Sequence, residues 1–426
     1  MSLKEIGVAP PKGFRDILPQ ETVVRDGLIA SILETYRSFG FERVETPIVE
    51  DVRRLTHSDG GENLGMLFKI LKRGDKLDLS SPGLTEDAIA DLALRYDLTV
   101  PLARYYANHR NDLPTVFKAV QVGPVFRAER PQQGRFRQFY QFDIDILGGT
   151  SPGDEVELLS ASLAAYAKLG VTNGCMRIND RRILTAMIDY AGIPADGAAR
   201  ALISFDKMDK VGLTGVREFL IKDGFSEAAV STFIDVAQKV EALPVAERLA
   251  EIARRLEGVL AADVCSNLTA IISGVKVSEG NTIAFDPFLV RGMGYYTGPV
   301  FELVVPEFSG SIGGGGRYDK LIGKLSGVEA TACGFSIGFE RMVALFADRL
   351  LSDSSAQRKV AVFYDDVQQV PAASEVAAEL RAQGAIASLF ISPKNFKAAL
   401  EKLKGAGYTE FGRVRSGEVF LTKGIG

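Results

Sequence analysis

The sequence predicts an α+β protein, and three stretches carry that expectation. Residues 125–148, VFRAERPQQGRFRQFYQFDIDILG, read as two strands reversing at Pro131-Gln132-Gln133-Gly134, where Pro and Gly bracket a turn. Residues 183 to about 272 read as one helix after another. Beyond residue 359 strand and helix alternate, the pattern of a small α/β domain.

The elements follow in order. Residues 10–19, PPKGFRDILP, form an irregular opening segment. A helix over 21–39 follows, with Val24, Leu28, Ile29, Ile32, Leu33 and Tyr36 as its apolar stripe and Gly40 as its stop. Residues 42–50, ERVETPIVE, read as a strand with Pro47 near its end, where a missing N–H is tolerated. A strand pair is expected between 66 and 95, with an excursion over 80–86. In LRYDLTVP, 94–101, Asp97 or Thr99 is placed to cap the helix that runs on through Leu102, Ala103 and Tyr105. After the hairpin come a helix over 154–169, a strand over 175–178, NDRRIL at 179–184 and the helical region. RGMGYYTG at 291–298 leads into a strand over 300–305. The glycine run 313–316 lacks the Gly-Lys-Ser/Thr of a Walker loop, but it allows backbone to approach a ligand closely. Residues 334–342, GFSIGFERM, read as a small-residue strand entering a helix, with Arg341 near its start. Residues 351–358 read as a linker. Strand 360–364, helix 372–383, strand 386–391, helix 394–405 and two short strands complete the chain. From 359 onward there are nine Lys/Arg against seven Asp/Glu, which is only mildly basic.

The hairpin carries the chemistry. Side chains alternate along a strand, so Phe136, Gln138, Tyr140, Phe142, Ile144 and Ile146 share one face, and Arg135, Arg137, Phe139, Gln141, Asp143 and Asp145 share the other. Arg127 and Glu129 share a face of the first strand. Guanidinium groups thus gather near the turn and carboxylates farther along. Guanidinium forks suit phosphate, and carboxylates suit an ammonium or an imidazole N–H. Such a surface suits an amino acid beside a nucleotide. It also fits a two-sided hairpin with a solvated face and cross-strand ion pairs.

Composition narrows the field. A chain of 426 residues with 46% hydrophobic content supports two or three packed domains. No apolar run approaches membrane-spanning length, and MSLKEIGVAPPKG lacks the apolar segment of a signal peptide. Cys175, Cys265 and Cys333 lie far apart without metal spacing, as expected of reduced thiols in a cytoplasmic protein. With only His57 and His109, a histidine metal site or a Ser/His/Asp triad is poorly supported. A net charge of -4 leaves RNA contact to local patches.

The string FRAERP…GRFRQFYQFD…G resembles motif 2 of class II aminoacyl-tRNA synthetases, in the form of the histidyl-tRNA synthetase family. PKGFRDILP and the helix-Gly-strand-Pro pattern after it resemble the family's opening and motif 1, which forms a dimer interface. LRYDLTVP resembles the histidine-binding loop. NDRRIL and FDKMDKVG (205–212) resemble an insertion that lies against the tRNA acceptor stem, although a helical lid or spacer would read alike. RG-x-x-YYTG resembles a family signature, with Gly294 where Asp is usual. GGRYD is placed by the family against the histidine pocket, and 334–342 resembles motif 3. The C-terminal segment, especially SPKNFK at 392–397, resembles the anticodon-binding domain without its last helix.

This resemblance implies a class II synthetase antiparallel sheet flanked by helices, with a helical insertion and a small C-terminal α/β domain. The expected parts are 1–182 and 276–350 for the catalytic core, 183–275 for the insertion and 359–426 for a shortened anticodon-binding-like domain. It implies a homodimer that uses ATP and Mg2+, L-histidine and tRNA(His), with no metal ligands assigned among side chains. Arg127, contacting the α-phosphate and the histidine carboxylate, and Arg291, opposite it in the role of a metal ion and also against the histidine, would be catalytic. Arg135 and Arg341 would hold the outer phosphates, with Glu129 positioning nucleotide or metal. Asp97, Thr99 and Gln141 would fix the amino-acid head. Asp145 and Tyr296 would bond the imidazole, with Tyr295 and Tyr318 shaping its pocket. Arg130 and Gln132 would face the tRNA. The rival reading is a non-catalytic ATP phosphoribosyltransferase regulatory subunit of the same fold, favoured by Gly294 and the short C-terminus. The phosphate arginines, the tRNA-facing turn and the long insertion favour the ligase. A ligase-like enzyme acting on a protein or small molecule is a third possibility.

Overall fold

The hairpin is the spine of the fold. The protein is described by a computed structural model over residues 7–57, 64–80, 84–130, 136–291, 295–354, 358–415 and 420–425. Strand Phe117–Phe126 pairs antiparallel with Gln138–Leu147, from Phe117↔Leu147 to Phe126↔Gln138. The expected turn at 131–134 lies outside the described residues. Among the described residues these strands belong to an eight-stranded sheet. Its order is Glu42–Arg43, Phe117–Phe126, Gln138–Leu147, Ala332–Ile337, Ser311–Arg317, Pro299–Val304, Cys175–Asp180 and Thr282–Phe285. Only the two edge strands pair parallel. The core of the sheet is therefore antiparallel, built from segments almost two hundred residues apart in the chain.

Helices Pro19–Ser38 and Pro152–Lys168 cover one sheet face. Leu28, Ile32 and Tyr36 of the first are fully buried, and the Tyr36 ring meets Phe142 edge-on at 5.9 Å. Each such side chain contributes roughly 2 kcal/mol by leaving water. In the second helix a capping box between Ser151 and Asp154 fixes the first turn. Tyr166, also fully buried, donates its hydroxyl to the Ile312 carbonyl at 2.7 Å. Phe142, Ile144 and Phe335 face these helices. Gln141, Asp143, Asp145 and Ser336, one step out of phase, face the other way.

The helical region runs from Arg181–Tyr190 to Ala262–Gly274. Asp180 caps its first helix by accepting from the Arg182 N–H. These helices pack into the same compact unit as the large sheet, residues 1–17 and 25–345. The second unit, 18–24 and 346–426, has a four-stranded sheet ordered Ile386–Ile391, Lys359–Tyr364, Glu410–Arg413, Lys423–Gly424. Its first three strands are parallel. Val360, Val362, Ala373 and Ala377 form its core, as the alternation of strand and helix implies.

Two expectations need correction. Residues 42–50 are not one strand. Glu42–Arg43 joins the large sheet, while Val49–Asp51 pairs with Ala90–Leu94 in a three-stranded sheet. Pro47 has no N–H for a ladder, and the Arg95 guanidinium takes the Thr46 carbonyl at 2.8 Å, so the ladder breaks there. Residues 351–358 do not open as a linker, because helix Phe339–Ser354 continues into them. Each added residue of an established helix gains one hydrogen bond, which outweighs the weak propensity of Ser and Asp. The expected pair over 66–95 forms as Lys69–Leu71 with Ala90–Leu94, and part of the 80–86 excursion lies outside the described residues. No helix among the described residues is long and apolar enough to cross a membrane.

Candidate active site

Sheet register assembles the site. Asp143 lies opposite Gln121 on one side and Ser336 on the other. Ser336 lies opposite Gly314, Gly314 opposite Glu302, and Glu302 opposite Arg177. One polar row therefore crosses six strands on the face away from the two covering helices. The next row is Asp145, Gly334, Gly316 and Val300. Above these rows is a cleft of about 410 Å³.

Gly314 and Gly334 are bare because polar side chains lie on them. A Cβ at Gly314 would fall 2.3 Å from Nη1 of Arg291, and one at Gly334 would fall 2.0 Å from Oδ1 of Asp145. The glycine run is thus a strand, Ser311–Arg317, bare at Gly314 so that a guanidinium can rest on its backbone, while Gly334 on the neighbouring strand Ala332–Ile337 leaves room for a carboxylate. Arg291 also pairs with Glu302 at 3.3 Å, and Glu302 is shared with Arg177 at 3.7 Å.

Asp97, Asp143 and Asp145 all line the cleft. Each is at most 3% exposed. Asp97 accepts the Val100 N–H at 3.0 Å, so the helix-capping and cleft-lining roles hold together. Thr99 lines the cleft at the first turn of that helix, Thr99–His109. Asp145 accepts the Tyr318 hydroxyl at 2.5 Å. Burial pushes its pKa up to about 7; the Tyr318 bond opposes this and the charge of Asp97 adds to it. Burial, then the neighbouring Asp145, pushes Asp143 well above the usual carboxylate range. Tyr295, Tyr296 and Tyr318 line the cleft together. Tyr295 lies 4.9 Å from Tyr296 and 5.9 Å from Tyr318, centroid to centroid. All three belong to the core cluster that includes Leu102, Phe117 and Leu147, which holds this wall rigid.

The cations are held as firmly. Arg127 donates from Nε to the Tyr96 carbonyl at 3.1 Å and packs over Phe139 at 5.1 Å. Arg341 donates to the Ser311 carbonyl and lies 5.2 Å over Phe308. It sits beyond Ile337, the last residue of its strand, whereas the carboxylates lie toward Gly334. Gln141 and Glu129 also line the cleft.

Some expectations fall elsewhere. Arg137 turns away from the cleft and donates to the Glu129 carbonyl at 3.0 Å, because regular strand begins only at Gln138 and alternation fails before it. Arg130 is exposed and does not line the cleft. Arg135, Gln132 and Gly294 lie outside the described residues.

The sequence reading gave no role to Ser336, Glu302 or Glu340. Glu340 accepts both Arg25 guanidinium nitrogens at 2.7 and 2.8 Å, Arg15 at 3.3 Å and the Tyr140 N–H at 3.0 Å. Arg25 lies 4.9 Å over both Tyr140 and Phe339. This network joins the opening segment, the first helix, the hairpin and the helix bearing Arg341. The only signal for it in the sequence was the pair Glu340-Arg341.

Comparison with known proteins agrees with this geometry. Residues 13–342 match the family described as Histidyl-tRNA synthetase. The histidine–tRNA ligase of Leifsonia xyli subsp. xyli is 41% identical over 95% of this chain and 94% of its own. That of Ruegeria sp. is 35% identical over 91% of this chain and 81% of its own. Among solved structures, histidyl-tRNA synthetase from Nostoc sp. superposes with a TM-score of 0.76 at 26% identity, covering 98% of this chain and 97% of the other. A Bacillus halodurans structure titled as an ATP phosphoribosyltransferase regulatory subunit/histidyl-tRNA synthetase gives 0.74 at 20% identity, covering 93% and 96%, and shares the fold. The chain belongs to the histidyl-tRNA synthetase family.

Proposed function

We propose that the cleft activates L-histidine with ATP and passes the histidyl group to tRNA(His), as a histidine–tRNA ligase. One observation supports this most. Three buried carboxylates and three anchored guanidinium groups, Arg127, Arg291 and Arg341, line a single cleft. The substrate carboxylate is itself the nucleophile, so the protein needs alignment and cations, not a nucleophilic side chain. A carboxylate oxygen attacks the α-phosphorus and pyrophosphate leaves; the acyl group of the adenylate then passes to a terminal ribose hydroxyl of the tRNA, releasing AMP.

Arg127 and Arg291 face the α-phosphate, where charge accumulates. Arg341, with Arg135, takes the outer phosphates. Asp97, Thr99 and Gln141 hold the amino-acid head, and Asp145 with Tyr296 reads the imidazole between Tyr295 and Tyr318. Among the described residues no group of three or more His, Cys, Asp or Glu converges as a metal cage. Mg2+ would come as a companion of the nucleotide phosphates, with Glu129 as the carboxylate beside Arg127. It would neutralise phosphate charge there. The exposed Arg130, with Gln132, faces the acceptor end of the tRNA, and the protein works as a cytoplasmic homodimer. The regulatory-subunit reading has weaker support, since the relative of that title shares only the fold and the 41% identical relative is named a ligase.

The test is histidine-dependent exchange of labelled pyrophosphate into ATP, followed by charging of tRNA(His). Exchange and charging are both expected. Folded protein with no exchange would overturn the reading, and exchange without charging would redirect it to another acceptor. Gly314→Ala tests the geometry, because its new methyl displaces Arg291. We expect exchange to fall about 100-fold, as for one lost oxyanion donor, with histidine binding by calorimetry changed less than about threefold.

A further inference from the structure

Asp143 has no part in the assignment above, yet it lies in the middle of the cleft's polar row. It is two residues from both Gln141 and Asp145 on one strand, so all three point to the same face. It is 3% exposed, it lines the cleft, and among the described residues its Oδ1 has no hydrogen-bond partner. A carboxylate kept only for the fold has its oxygens satisfied by neighbours.

Its other contact fixes the direction of a hydrogen-bond chain. Ser336 lies opposite Asp143 in the sheet register, with its hydroxyl beside the carboxylate as a potential donor that favours the charged form. Ser336 Oγ accepts from Gln141 Nε2 at 3.4 Å, which leaves its own single proton for the carboxylate. The Gln141 amide is therefore turned with its oxygen toward the cleft, and Oε1 is likewise buried without a partner among the described residues. Two acceptors thus sit side by side on one strand, and Asp97 supplies a third from the helix start. Asp143 and Asp97 are close enough for each charge to act on the other. Three acceptors lining one cleft match the three N–H donors of a primary ammonium, and a cation among these buried carboxylates would favour their charged form. Asp145 is set apart by its Tyr318 bond and belongs to the ring end.

We propose that Asp143 is the third acceptor for the substrate's α-ammonium group, completing a tripod with Asp97 and Gln141, and that through Ser336 it also sets the orientation of the Gln141 amide. This rests on the reading of the cleft as an L-histidine site.

The experiment compares ligands that differ only at the amine. Binding of L-histidine, L-histidinol and 3-(imidazol-4-yl)propionate, which lacks the amine, is measured by calorimetry on the full chain, wild type and Asp143→Asn. Asp143→Asn should weaken the two amines about 10- to 100-fold, the range for hydrogen bonds to charged groups, and leave the des-amino acid within about twofold. Ser336→Ala keeps the carboxylate but frees the Gln141 amide, so it should show a smaller loss with the same selectivity. Equal weakening of all three ligands would move Asp143 to the ring or the fold and overturn the proposal, as would no weakening of any. Wild-type protein that neither binds L-histidine nor exchanges pyrophosphate would instead overturn the functional reading beneath it.

Discussion

Replacing Arg291 with Ala lowers the rate of histidine-dependent pyrophosphate exchange about 1000-fold, at the upper range for a preorganised donor in a water-poor site. The guanidinium lies against the backbone of Gly314 and is anchored on Glu302, so in the proposed site it would meet the reacting phosphate without rearrangement. The loss should fall on kcat, with KM for ATP changed little, because the interaction grows as charge builds on the α-phosphate. Arg291→Lys should recover little. A lysine ammonium lacks the planar fork that both rests on the glycine strand and pairs with Glu302. The fold should survive either change, since Arg177 still faces Glu302 and also pairs with Asp286. A variant that lost only affinity for ATP would place Arg291 in uniform nucleotide binding.

Asp145→Asn is expected to raise KM for L-histidine about 1000-fold or more, because the proposed imidazole pocket, which would bond both ring nitrogens, loses a carboxylate and gains a wrongly placed N–H. The same change should stabilise the protein without ligand at alkaline pH. The folded-state pKa of Asp145 is raised from 3.8 to about 7, chiefly by burial. Between those values the folded chain holds a proton that the unfolded chain has released, so stability falls as pH rises through the window. Above pH 7 the ionised, buried carboxylate costs on the order of 4 kcal/mol. The Asn variant avoids that cost, so it should melt higher than wild type at pH 8 and no higher at pH 4. Calorimetric melting at the two values checks it, and equal melting at pH 8 would show that Asp145 is not strained by its surroundings.

Much of the site could be read from single segments because its chemistry is local. The alternation from Gln138 to Leu147 gave the Gln141, Asp143 and Asp145 face directly, and the apolar stripe of the first helix matches the buried Leu28, Ile32 and Tyr36. The cross-strand row from Gln121 to Arg177 could not be read, since no local pattern encodes the register between Asp143 and Ser336 or between Gly314 and Glu302. The sequence did not mark the glycine run as a strand, because glycine is a poor strand former. It is a strand because its neighbours fill the space that side chains would need. The Glu340 network was hidden for the same reason, since it joins Arg15, Arg25 and Tyr140 from three distant segments. The break in 42–50 depended on Arg95 reaching back to Thr46, a contact no window of ten residues contains.

The most direct measurement of the central claim is a crystal structure of the protein with L-histidinol and ATP. The account predicts the α-phosphate between the guanidinium groups of Arg127 and Arg291, with the imidazole against Asp145 and Tyr296 in the same cleft. Phosphates bound out of reach of Arg291, or an imidazole held elsewhere, would contradict it.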